Sequence, residues 1–586
     1  MNLLFGIFEH FKPKRKFEFA TAVLFMIASG LAEMISLASS VPFLAVLSDP
    51  QQLLQYSLTH HLLAAFGLGN SNDLLLPVSL LFILTVFFAA LIRLFNLWLC
   101  GKLAAGVGSD LSCDAYRRTM HQPYQVHIGR NSSEVITAIT QHTSEVVLIV
   151  NAFMQMLTSI VVGMSILIAL FLIDKTIALI AIAVFCFAYF VVSTFTRKYL
   201  YLNSKKIALA NQNQLKALQE GLGAIREVLL GRKQNVYVDI YESSDRPLRM
   251  LMAQNRFLAS SPRYILEALG LILIASMAIF LSFHKNNYSL IPLLGSLAIG
   301  SQRLLPALQQ IYSSWSLITS FQSGATLVLK LLNQPLPALE SPVDDSAVSN
   351  WREVSISKVH FRYSSDQEPV LVDISLNIKR GECLGLVGST GSGKSTLVDL
   401  LMGLLQPTLG DICVDGKRIN DFENVHSLAS WRSTIAHVPQ AIFLTDSTIS
   451  ENIAFGVPKH LIDIDKVRLV IKQAKLESLV EASPLGLNSI VGERGVKLSG
   501  GQRQRIGIAR ALYKKASLII FDEATSALDS HTESEIINTI HDLIPNVTVL
   551  MIAHRLTTLA RCDRIIRLNS RSSVSIIPTS DFFSSN

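Results

Sequence analysis

Long apolar runs constrain this chain more than any other feature. They fall at Phe19–Leu47, Leu74–Cys100, Val146–Ile173, Thr176–Thr196, Tyr264–Phe283 and Leu290–Phe321. Each reaches the roughly 20 residues that a helix needs to cross the hydrocarbon core of a bilayer. The last is the weakest, being broken by Gln302, Arg303, Gln309 and Gln310. Asp174 and Lys175 alone part the third run from the fourth, so that turn is very short.

Of the 586 residues, 50% are hydrophobic and 16% charged, where a soluble domain carries about a quarter charged. The deficit is local. Residues 351–586 read as an ordinary α/β domain, and "NQPLPALESPVDDSAVSN" before them concentrates proline, serine and acid as a linker does. The expected organisation is a transmembrane domain over 1–332, a linker over 333–350 and a soluble domain over 351–586.

An even number of spans leaves both chain ends on one side. Lys12, Lys14, Arg15 and Lys16 precede the first span, and Lys102, Arg117, Arg118 and Arg130 lie between the second and third. Arg197, Lys198, Lys205 and Lys206 open the connection from fourth to fifth, whereas the opposite connections offer Lys175 and Lys285. The positive-inside bias therefore predicts a plasma-membrane protein with both termini and the soluble domain in the cytoplasm. It also accounts for the net charge of +7 without nucleic acid as a partner. The first run is too long for a signal peptide, contains Glu33 and lacks a small-residue cleavage site, so it is expected to stay as a span. The six cysteines (Cys100, Cys113, Cys186, Cys383, Cys413, Cys562) form no CxxC and are expected as free thiols.

Helical patterning continues past the membrane on both sides of each cytoplasmic connection, with breaks at Gln122–Glu134 and Glu220–Gln234. Short transverse segments there would suit the transmission of force. The apolar Ile225, Val228, Leu229 and Leu230 favour buried contacts over a solvated loop. On the other side, "DPQQLLQYSLTHHLLAAFG" opens with a cap, Asp49, and Pro50. Its Leu54, Leu58, Leu62 and Ala65 recur at helical spacing. Two placements fit: a helix lying on the outer membrane surface, or one packed against the spans.

The soluble domain carries the chemistry. "ECLGLVGSTGSGKSTLVDLLMGLL" reads as a buried strand, a loop and a helix. Gly388, Gly391 and Gly393, with Ser389, Thr390 and Ser392 between them, let backbone N–H groups and the helix N-terminus face phosphates. Lys394 is expected to reach the β- and γ-phosphates of ATP, and Ser395, followed by Thr396, to hold Mg²⁺. "LIIFDEATSALD" is a second strand, ending in Asp522 as a further Mg²⁺ ligand and Glu523 as the group polarising the attacking water. Between them Leu498, Ser499, Gly500, Gly501 and Gln502 precede a helix, a second anion-binding terminus. One nucleotide cannot use both helix ends within one domain, so this motif is expected to close over a nucleotide held by a second subunit.

These motifs resemble those of the ATP-binding-cassette exporters, and the resemblance covers nearly the whole chain. It implies a multi-domain membrane protein, with a six-helix α transmembrane domain and an α/β P-loop nucleotide-binding domain, acting as a half-transporter. By the resemblance, Tyr363 of "HFRY" stacks on adenine, and Gln440 of "AHVPQ" senses the γ-phosphate and Mg²⁺. Asp529 of "SALD" communicates across the dimer, His554 of "MIAH" contacts the γ-phosphate, and Gly492–Gly495 meets the transverse helices. No role is assigned to 570–586. With both halves of a composite site intact, a homodimer with two hydrolytic sites is expected.

Three arginines interrupt the apolar stretches: Arg93, Arg263 and Arg303. Counted at 1.5 Å per residue, Arg303 lies roughly 20 Å below the outer surface and the others nearer 30 Å. A charge at such depth normally faces a partner or a cavity. Arg263 has Glu267 one turn on, Glu33 could neutralise Arg303, and Arg93 and Arg263 could snorkel. Doubled by dimer symmetry, the three would instead form a positive zone suited to a pyrophosphate headgroup. "AEMISLASSVPFLAVLSDP", "NSSEVITAIT" and "IREVLLGRK" resemble the bacterial lipid-linked oligosaccharide flippases. The expected function is ATP-driven flipping of a polyprenyl-pyrophosphate-linked glycan or a related anionic amphiphile. Export of drugs, peptides or other lipids is the alternative within the class. A nucleotide-gated channel would show a broken signature or no Glu523, and both are intact.

Overall fold

The computed structural model describes residues 2–48, 75–173, 175–284, 290–336, 351–419, 425–524, 529–541, 547–553, 555–569 and 573–584. The chain divides into two compact units, Met1–Gln122 with Gly129–Leu336, and Pro123–Ile128 with Pro337–Asn586.

Among the described residues the first unit holds six long helices: α1 (Pro13–Ser48), α2 (Leu75–Met120), α3 (Thr143–Ile173), α4 (Lys175–Gly223), α5 (Gln234–His284) and α6 (Leu290–Leu332). Every apolar run lies within one of them, Leu74 apart, which is outside the described residues. Pro13–Ser40, Leu75–Met120 and Ser132–Leu172 are long and apolar enough to cross a membrane, and the other three runs include side chains outside the description. α2, α4 and α5 have 46, 49 and 51 residues, about 70–77 Å at 1.5 Å per residue. That is over twice the hydrocarbon thickness, so half of each lies beyond it.

The two breaks in patterning are breaks in the helices. They hold short helices at Tyr124–Ile128 and Ile225–Leu230. Asn131 ends the first break by capping the next turn, its side chain accepting from Ser133 N. Arg232, at φ 50°, turns the chain out of the second. α3 ends at Ile173 and α4 begins at Lys175, and Asp174 between them lies outside the described residues. The segment 49–66, Lys285 and linker residues 337–350 lie outside the described residues.

The helices pack around buried Met26, Leu103, Leu111, Ile149 and Leu332. Glycine permits the closest approaches: a Cβ on Gly108 would sit 2.1 Å from Val147 Cγ2. A polar knot stands out in this apolar setting. A π-helical turn, Ala138–His142, delivers His142 Nδ1 to within 2.8 Å of Glu145 Oε2, and Asn211 of α4 donates to Glu145 Oε1 at 3.2 Å. Gly324 of α6 lies against the pair, where a Cβ would meet Glu145 Oε2 at 2.1 Å. Pro306 lies inside α6, removing one backbone hydrogen bond from an otherwise continuous helix.

The second unit is α/β. Its strands are β1 (Glu353–Phe361), β2 (Leu371–Lys379), β3 (Cys383–Gly388), β4 (Leu409–Val414), β5 (Lys417–Arg418), β6 (Ile435–Val438), β7 (Leu518–Asp522), β8 (Thr548–Ile552), β9 (Arg564–Asn569) and β10 (Ser573–Pro578). An antiparallel sheet runs in the order β2-β1-β4-β5, and a second sheet in the order β10-β9-β3-β8-β7-β6. The second is parallel from β9 to β6, with β10 antiparallel to β9. Strands buried on both faces explain the unbroken apolar stretches in β7 and β8. The tail without an assigned role thus completes the sheet as β10 and ends in a helix, Thr579–Ser584. The described cysteines, all but Cys186, are free thiols.

Candidate functional site

β3 and β7 flank β8, so Gly388 and Asp522 end parallel strands one apart in the sheet, at the edge where ligands bind open α/β sheets. The loop leaving β3 needs its glycines. Gly391 and Gly393 adopt φ 82° and 95°, left-handed values that side chains avoid. A Cβ on Gly388 would come within 2.8 Å of Leu568 O. The helix that follows, α7 (Lys394–Leu401), starts at this loop with its N-terminal N–H groups unspent. Ser392 Oγ, buried in the loop, has no hydrogen-bond partner among the described residues. Lys394 Nζ donates to Gly388 O at 2.9 Å and Ser389 O at 3.1 Å, which holds the ammonium over the loop. This cradle of N–H groups and one cation fits a polyphosphate.

The carboxylates beside it fit a cation. Burial, then the neighbouring Glu523, lifts the Asp522 carboxyl above its ordinary range, with Lys394 opposing. Burial and Asp522 push Asp399 up to about 6. So much negative charge favours a divalent ion, for which Ser395, Gln440 and Asp522 offer hydroxyl, amide and carboxylate oxygens. Gln440 Nε2 donates to Glu523 Oε2 at 2.7 Å, which brings two expected catalytic residues together. Glu523 itself sits at φ 48°, a conformation that costs a non-glycine residue about 1–2 kcal/mol. Tyr363 follows β1, its OH 3.0 Å from Thr396 Oγ1 and its ring edge-on to Phe361.

The signature segment is a helix start. α8 (Gly500–Lys514) is capped by Ser499, whose Oγ accepts from Gln502 N while Gln502 Oε1 accepts from Ser499 N. The serine and glutamine therefore make a capping box, and the N–H groups of Gly500 and Gly501 are left for an anion. Asp529 caps α9 (Ser530–His541): Thr532 N donates to Asp529 Oδ1 at 2.9 Å and holds that carboxyl below its usual range. His554 lies outside the described residues.

In the first unit, Arg93 forms an ion pair with the fully buried Glu33, the carboxylate that the sequence offered to Arg303. Arg263 pairs with Glu267 at 2.7 Å on its own helix. Arg303 lies in α6, and its side chain is outside the description. A cavity of about 1230 Å³ lies along α4 and α6. Tyr189, Tyr201, Tyr312 and Trp315 give it an aromatic wall, and its cations among the described lining residues are Arg197 and Lys198. The sequence reading counted those two toward membrane orientation alone, because nothing local reveals that α4 lies along a helix over 100 residues later. Asp399 was missed as well. It lies one turn after Ser395, so the i to i+4 spacing was the signal that could have found it.

Comparison with known proteins agrees with this geometry. Residues 371–526 match the ABC transporter family and residues 40–290 the ABC transporter transmembrane region. The ATP-dependent lipid A-core flippase of Cupriavidus metallidurans is 30% identical over 80% of this chain and 79% of its own length. Its counterpart in Paraburkholderia xenovorans is 31% identical over 81% and 80%. Among solved structures, a bacterial Atm1-family ABC exporter with ATP bound superposes with a TM-score of 0.78 at 22% identity, covering 97% of this chain and 96% of that one. A transmembrane region joined to a phosphate-binding cassette, matched along most of its length, places this chain in the ABC transporter family as an ATP-hydrolysing exporter of the half-transporter type.

Proposed function

We propose that the chain works as a homodimer in a bacterial inner membrane, with both termini cytoplasmic, and flips an anionic glycolipid outward at the expense of ATP. The glycolipid is a polyprenyl-pyrophosphate-linked oligosaccharide or a close relative. The observation that carries the reading is the cavity in which an aromatic wall meets Arg197 and Lys198, one surface for an acyl or isoprenoid chain and one for phosphate. The flippase names of relatives at 30% identity point to the same class of cargo. Arg93, Arg263 and Arg303 would add to the positive zone once a second subunit closes the cavity.

In the cassette, Gly388, Ser389, Thr390, Gly391, Ser392, Gly393 and Thr396 cradle the phosphates, Lys394 neutralises them and Tyr363 stacks on adenine. Mg²⁺ held by Ser395, Gln440 and Asp522 supplies charge neutralisation when bound. Glu523, steadied by Gln440, orients the attacking water and accepts its proton, and His554 contacts the γ-phosphate. Leu498, Ser499, Gly500, Gly501, Gln502 and Asp529 act on the nucleotide of the partner subunit. Catalysis is then mainly positioning and electrostatics.

The test is ATP-dependent translocation of a labelled polyprenyl-pyrophosphate oligosaccharide in proteoliposomes, with Glu523→Gln, Arg303→Ala and Arg197→Ala in parallel. Flipping should be lost in all three, while ATP hydrolysis survives in the two arginine variants. A wild type that hydrolyses ATP and moves no glycolipid would sink the reading. Export of a drug, peptide or other lipid, which the aromatic wall alone would serve, would then lead.

A further inference from the structure

The first apolar run starts at Phe19 in α1 and the second ends at Cys100 in α2. Residues 14–17 and 101–102, just outside those runs, therefore lie at the same membrane boundary. The two helices touch there, since a Cβ on Gly106 would sit 2.5 Å from Arg15 Cζ. Charge holds the contact. Arg15 donates to Asp110 Oδ2 and to Glu18 Oε2, each at 2.8 Å, and Lys12 donates to Asp110 Oδ1 at 2.7 Å. Arg15 is accordingly a structural cation, its side chain 19% exposed. Asp110 and Glu18 are both spent on this contact, which leaves Glu9 as the remaining acid of the N-terminal segment.

Three more lysines surround the contact and stay exposed: Lys14 and Lys16 in the first turn of α1, and Lys102 one turn before Gly106 in α2. Aromatic rings, not carboxylates, hold two of them. Lys16 Nζ stands 5.6 Å from the centroid of the Phe8 ring, and Lys102 Nζ 4.8 Å from that of Trp98. A lysine held in this way keeps its charge uncompensated and its N–H donors open to an anion. The rings beside the lysines are open as well. Trp98 is 56% exposed, Phe17 75%, and Phe5 of the short helix Asn2–Glu9 66%. Exposed rings at a span end belong at the headgroup level of a bilayer, where the neighbouring ammonium groups meet lipid phosphate. A zwitterionic headgroup brings its own cation to such a patch and an anionic one does not. Each lysine near the surface favours an anionic leaflet by about fivefold.

We propose that this patch binds the headgroup of an anionic glycerophospholipid, in the leaflet on the side of the N-terminus, as a resident lipid and not as cargo. It lies on α1 and α2, whereas the cavity assigned to cargo lies along α4 and α6, so the inference stands apart from the cargo reading. Full-length protein is placed in nanodiscs holding brominated phosphatidylglycerol or brominated phosphatidylcholine at equal mole fraction. Bromine quenches tryptophan fluorescence at contact, and the signal of Trp98 is the difference between the wild type and Trp98→Phe. Phosphatidylglycerol should quench Trp98 more than phosphatidylcholine does, by about twofold or more. Lys14→Gln, Lys16→Gln and Lys102→Gln combined should bring that ratio to one, and added inorganic phosphate should leave the wild-type ratio unchanged. Equal quenching by the two lipids in the wild type would overturn the proposal. So would a preference that survives the triple substitution, one abolished by inorganic phosphate, or quenching by neither lipid, as when a second copy of the chain covers the patch.

Discussion

At the scale of single residues, Glu523 combines a demanding backbone with the role proposed for it in hydrolysis. Its left-handed φ is one that glycine takes freely, so glycine there should relieve about 1 kcal/mol of backbone strain, while the hydrogen bond from Gln440 is lost. Glu523→Gly is expected to melt within a few degrees of the wild type, the two effects offsetting, while losing turnover. Glu523→Gln should keep nucleotide binding and lose hydrolysis by about 10²-fold or more. Binding of a fluorescent ATP analogue, read beside phosphate release, checks both. Asp399 makes a pH prediction. Its pKa in the folded chain, about 6, lies above the roughly 3.9 of an unfolded aspartate. The folded state therefore holds the proton more tightly. That stabilisation is complete below pH 4 and is lost as pH rises through 6. Asp399→Asn should raise the melting temperature at pH 8 and change little at pH 4. After discounting for solvent screening the effect is of order 1 kcal/mol, or about 2–4 °C for a cassette of this size. A midpoint that moves equally at both pH values would refute it.

At the scale of elements, the signature motif is two things at once, a helix cap and a proposed anion site, and substitution separates them. Ser499→Ala should cost about 1 kcal/mol of α8 stability. Ser499→Asp should keep the cap and the melting temperature, because aspartate caps as well as serine. It should still abolish ATP hydrolysis, since it sets a charge where a phosphate is proposed to lie. Where α3, α4 and α6 meet, Gly324→Ala would drive a Cβ into Glu145 and should destabilise the first unit by about 1–3 kcal/mol, visible as lower yield and an earlier thermal transition. Elements such as these differ in how plainly the sequence announced them. The long helices were legible because lipid leaves a continuous apolar run one solution, and the phosphate loop because its glycines must take positive φ. The breaks near Tyr124 and Ile225 were legible from punctuation in the pattern. Glu523's conformation was not, since no glycine marks it. Nor was the second role of Arg197 and Lys198, which exists only once α4 lies along α6.

At the scale of the whole molecule, the ion pair between Arg93 and Glu33 tests what the intramembrane charges are for. Removing the arginine takes one partner from a carboxylate that is fully buried, and the arginine is itself half exposed, so Arg93→Ala should destabilise the protein by about 1–2 kcal/mol. The double variant Arg93→Gln with Glu33→Gln should recover most of that loss. If glycolipid flipping returns along with the thermal midpoint, the pair serves architecture. If stability returns and flipping does not, the arginine serves the cargo. The large cavity and a second of about 350 Å³, whose lining includes Ser313, Ser314 and Ser320, both have their α6 walls on the portion that follows Pro306, from Leu308 to Gln322. That portion runs about 39 Å to Leu332, and beyond it the chain leads on toward the cassette. Pro306 is thus a fulcrum near one end of a long lever. A swing of about 10° there displaces the far end by roughly 7 Å, and the aromatic wall and the serine-lined wall must travel with it. A movement of that portion would carry both walls together, so the two chambers would change size as one.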